Sequence, residues 1–152
     1  MSTESSGPIP AGIWKLDTAR SQLLAQKTMT LWIVENTVDE LKWVAVETNA
    51  QRQTSVHSWQ DRYRGETAVI AGAGIKARLT STAMEGIRTE GEFPGLGRFI
   101  EFCRLSADGR RMVCDGEVLT DRGCQTYREE FDRFMRERNG NRSTYGSGGQ
   151  QV

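Results

Sequence analysis

Gly12-Ile13-Trp14-Lys15-Leu16-Asp17 comes after a polar, Ser- and Pro-rich segment over residues 1–10 and opens the first apolar stretch of the chain. The glycine lets the backbone turn sharply into a sheet, at little steric cost. The indole two residues later is large enough to plug the floor of a closed barrel. Such a plug suits a chain made of many strands, and from Thr28 onward this one reads as strand after strand.

Thr18 to Gln22 is polar enough for a turn or a single helical turn. Thr28 to Val34 and Leu41 to Thr48 are rich in β-branched and aromatic residues and free of proline, which predicts strands. Thr54 to Tyr63 is a more polar strand, and Thr67 to Ala71 a short one ended by Gly72-Ala73-Gly74. Ile75 to Thr82 and Ile87 to Phe93 alternate apolar with polar, the period of a half-buried strand. Phe99 to Leu105 and Met112 to Leu119 flank Asp108-Gly109, a strong hairpin signal. Cys124 to Glu130 completes the series. Tyr127, Phe131, Phe134 and Met135 also fall at helical spacing, with Asn139-Gly140 as a cap. The expectation is a last strand to about Glu130 and then a short charged helical turn.

About ten short strands at near-regular spacing describe an antiparallel meander. So many strands must close or stack, because open edges invite aggregation. The predicted fold is therefore all-β: an up-and-down barrel of roughly eight to ten strands over residues 11–137, with disordered ends at 1–10 and 138–152. The 152-residue length suits one such domain, and an apolar share of 37% suits strands that each bury one face. Net charge is zero and positive residues are scattered, which argues against nucleic acid as the partner. No apolar run approaches the roughly 18 residues of a membrane span. Three unpaired-looking cysteines and no signal-like segment predict a cytoplasmic protein with reduced thiols. A single histidine gives no support for a metal site. No phosphate loop or nucleophile elbow is present, so no cofactor is expected.

Gly12-x-Trp14-x-Leu16-Asp17, Tyr63-x-Gly65, Arg104-x-Ser106-x-Asp108-Gly109-Arg110 and Tyr127-Arg128, in that order, resemble the lipocalin-like β-barrel proteins of bacteria. The resemblance covers residues 12–131. It implies a cavity for small, largely apolar molecules, and a basic residue near the end of the last strand lying over the Gly-x-Trp indole. Arg128 is the candidate for that place over Trp14. Among lipocalin-like proteins are cofactor-free isomerases, cyclases and decarboxylases. The chain departs from the fatty-acid-binding pattern, because Tyr127 and Arg128 are adjacent and point to opposite faces.

Val56 to Tyr63 carries the densest chemistry. On a strand His57, Trp59, Asp61 and Tyr63 share one face. An imidazole, indole, carboxylate and phenol in a row suit proton movement on a bound, unsaturated ligand. His57 and Asp61 lie roughly 13 Å apart along the strand and form no dyad. Glu47 shares a face with Trp43, and inside an apolar cavity its carboxyl would be a candidate acid. Glu101 and Cys103 share a face with Phe99. Trp32, Trp43, Trp59, Phe99 and Tyr127 are the expected lining.

Three functions fit. The first is binding of one small hydrophobic or aromatic molecule. The second is a cofactor-independent isomerase or cyclase with His57, Asp61, Tyr63 and Glu47 handling protons. The third is a protein-interaction module, which would need no cavity. A homodimer is compatible with each of them.

Overall fold

Each strand pairs with its neighbours in sequence, and the first pairs with the last. The computed structural model describes residues 9, 11–37, 39–64, 67–72, 75–82 and 86–134. Within them the strands are β1 (Gly12–Leu16), β2 (Lys27–Asn36), β3 (Glu40–Asn49), β4 (Thr54–Arg64), β5 (Thr67–Gly72), β6 (Ile75–Thr82), β7 (Gly86–Phe93), β8 (Gly97–Leu105), β9 (Arg111–Thr120) and β10 (Gly123–Phe134). All are antiparallel, and pairing of β1 with both β2 and β10 closes the barrel. The architecture is the closed antiparallel barrel that the strand rhythm predicts, with ten strands among the described residues, at the upper end of the expected eight to ten. Thr18–Arg20 forms the single helical turn, capped by Asp17 Oδ1 accepting from the Ala19 N–H at 3.1 Å. No helix among the described residues is long and apolar enough to cross a membrane.

Trp14 is fully buried at one end of the barrel. Ile9, inside the segment expected to be disordered, is also fully buried, and its carbonyl accepts from Asn36 Nδ2 at 2.6 Å. This end is closed. The expected basic cover over Trp14 exists, but Arg133 supplies it, with Cζ 5.6 Å from the ring centroid. Arg133 also donates to the Ala11 carbonyl at 2.7 Å and packs where a Gly12 side chain would stand. Arg128 does not perform that role. It faces outward, paired with Asp115 at 3.6 Å and Glu130 at 3.4 Å. The register explains the correction: Trp14 lies opposite Arg133, further along the strand than expected.

Two further expectations change. The last strand continues to Phe134 instead of giving way to a helical turn near Glu130. Tyr127 and Phe131 are inward at a spacing that strand and helix share, whereas Phe134 is 64% exposed, as a strand requires. Met135, Asn139-Gly140 and the segments 1–8 and 135–152 lie outside the described residues, as does Gly65. The thiols are not all reduced: Cys103 and Cys114, directly opposed on β8 and β9, form a disulfide, leaving Cys124 free.

Candidate functional site

Aromatic side chains from four strands meet across the barrel's middle. Trp32 of β2 packs on Phe131 of β10, with centroids 3.9 Å apart. It also meets Trp43 of β3 edge-on at 4.6 Å. Trp43 in turn meets Trp59 of β4 at 6.0 Å, and Trp59 Nε1 donates to the Gly72 carbonyl at 2.9 Å. These rings make a floor. Above it, toward the end of the barrel that carries the β3–β4 and β7–β8 turns, lies a cavity of about 410 Å³. Stacked Phe93 and Phe99, 4.2 Å apart, form part of its wall. Leu24 and Leu96, 38% and 42% exposed, stand at its mouth.

The polar groups cluster on one side of this cavity. Lys27 Nζ donates to Glu47 Oε2 at 3.1 Å and to Glu129 Oε2 at 3.2 Å. Burial works against the lysine's charge, but Glu129 and Glu47 more than offset it and hold its pKa above the ordinary value. Tyr127 OH donates to Glu101 Oε1 at 2.6 Å. That contact spans two strands, because Gly116 lies between Glu101 on β8 and Tyr127 on β10. A methyl group at Gly116 would overlap the Tyr127 ring. The bare backbone therefore lets the phenol lie over β9 and reach Glu101. Burial, reinforced by Glu129, pushes Glu101 up to about 7, against the opposing pull of Tyr127 and Lys27. Burial and Glu101 together push Tyr127 up as well.

Comparison with protein families, curated proteins and solved structures finds no match. The site therefore stands on its geometry. Of the residues singled out in the sequence, Glu47, His57, Trp32, Trp43, Trp59, Phe99 and Tyr127 line the cavity. Asp61 and Tyr63 do not. They share the inward face of β4 with His57, but each residue advances about 3.3 Å along the strand, and the Trp59 layer lies between. Asp61 accepts from the Arg62 backbone N–H at 2.7 Å. The Tyr63 hydroxyl is buried without a hydrogen-bond partner among the described residues, and burial pushes it up to about 12. His57 Nε2 lies 3.3 Å from Ser55 Oγ.

Sequence reasoning misses Lys27, Glu129 and Gly116. Glu129 has a signal, since it alternates between inward Tyr127 and Phe131. Lys27 has none, because the pairing of β2 with β3 shifts between Lys27 and Met29, and such an irregularity re-aims side chains that strict alternation would place otherwise. The Glu101 carboxylate and the sulfurs of Cys103 and Cys114 lie within 4.8 Å of one another. Closed as a disulfide, the two sulfurs are not the thiolates that a metal requires.

Proposed function

We propose that this lipocalin-like barrel binds one small hydrophobic or aromatic molecule. The observation that carries the reading is the aromatic-walled cavity, plugged at the Trp14 end and opening past Leu24 and Leu96. Its size falls within the range of small-molecule sites, roughly 300–1,000 Å³. Arg133 over Trp14 adds support for the lipocalin likeness. An interaction module would have no use for such an interior. The disulfide favours an oxidising compartment over the cytoplasm.

The test is calorimetric titration with uncharged naphthalene-sized alcohols, on the wild type and on Ala77→Phe, which places a ring in the cavity. Binding by the wild type that weakens at least tenfold in the variant is the expected result, with far-UV circular dichroism showing the barrel intact. Equal binding by both proteins places the alcohol outside the barrel, and no binding by the wild type removes the reading.

A second reading, a cofactor-independent isomerase or cyclase, is favoured by Glu101. A carboxyl group that titrates near 7, bonded to a tyrosine and facing aromatic walls, is suited to give and take a proton. In that reading Glu101 and Tyr127 replace Asp61 and Tyr63 beside His57 and Glu47.

A further inference from the structure

We propose that the cavity selects an organic cation: an aromatic or apolar amine whose ammonium group sits against Glu101, with its hydrocarbon part among the tryptophans. The inference rests on the ligand-binding reading and names the class of molecule bound.

The charges lining the cavity do not balance. Three carboxylates, Glu47, Glu101 and Glu129, face a single lysine. Lys27 is already shared between Glu47 and Glu129, and no salt bridge to Glu101 is present among the described residues. Among the described residues the polar neighbours of the Glu101 carboxylate include the Tyr127 hydroxyl at 2.6 Å and the Cys103 sulfur 3.4 Å from Oε2. His57 also lines the cavity. A ligand carboxylate would enter a field with surplus negative charge and face desolvation without a partner. An ammonium group would supply the missing counter-charge, next to indole faces that attract cations.

Proton linkage gives a second signature. Burial, then Glu129, raises the pKa of Glu101 to about 7, against Tyr127 and Lys27. An ammonium seated on it favours the ionised form, so binding expels a proton wherever Glu101 is protonated in the free protein. Amine affinity therefore rises as pH increases through about 7, whereas that of an uncharged analogue does not follow Glu101 in this way.

The experiment compares 2-naphthylmethylamine, 2-naphthylmethanol and 2-naphthoate by calorimetry at pH 6 and pH 8 in low salt. The expected ranking at pH 8 is amine over alcohol by tenfold or more, with the carboxylate weakest. The amine's advantage shrinks at pH 6, and Glu101→Gln brings the amine to the level of the alcohol. An amine no tighter than the alcohol, or a carboxylate tighter than both, overturns the cation preference and leaves the binding reading standing. If none of the three binds, both fall together. The wild-type ranking decides even if the Gln variant does not fold.

Discussion

The barrel pushes the Glu101 carboxyl up to about 7, from an ordinary 4.5. A group whose pKa is raised on folding retains a proton that the unfolded chain would release. Its contribution to stability is full below about pH 4.5 and is lost as pH rises through about 7. A difference of this size corresponds to roughly 3 kcal/mol. Glutamine keeps an oxygen for the Tyr127 hydroxyl and never ionises. Glu101→Gln should therefore melt above the wild type at pH 8 and converge with it only as pH falls below about 4.5; a constant offset from pH 8 to pH 4 would remove the assignment. At this scale, much of the site is legible in sequence. Alternation puts His57 and Trp59 on one face, and Glu101 beside Phe99. It does not say how deep a residue lies, which is why Asp61 and Tyr63 group with a cavity they do not line. The indole cover belongs to Arg133 and not to Arg128, because the register of β1 against β10 is a tertiary property.

The strand β9 holds the site together by what it lacks. Between inward Cys114 and Val118, Gly116 leaves one bare position on the inner surface of the strand, and the Tyr127 ring from β10 crosses that space to Glu101 on β8. Gly116→Ala should cost about 1–3 kcal/mol through overpacking and move the phenol off Glu101. Thermal melts check the first effect, and ultraviolet difference spectra of the tyrosine check the second. An alanine variant with unchanged stability and spectrum would mean that the ring has other room. A glycine within a strand reads in sequence as a bulge or a close approach, but which ring approaches is set by the neighbouring strand. The same limit hides the Cys103–Cys114 pair. The Asp108-Gly109 turn is legible, yet a slip of one residue in the pairing of β8 with β9 would part the two sulfurs, and only the folded register sets them face to face.

Across the whole molecule, closure is the most legible feature, since a long meander of strands with only short helical turns to cover its edges has few other ways to satisfy its backbone. The seam that makes the closure is β1 against β10. Removing residues 123–134 should therefore leave β1 and β9 as open edges, expose Trp14 and Trp32, and yield a chain that aggregates; size-exclusion chromatography checks this, and a monodisperse, folded fragment would contradict it. The seam also sets a timetable. At roughly 5–20 residues per second of synthesis, β1 waits about 6–24 s before its second partner has been made. Throughout that interval the nascent sheet has no way to become a ring. A chain built in this order depends on its last strand for its first, and on whatever shields unpaired backbone during translation.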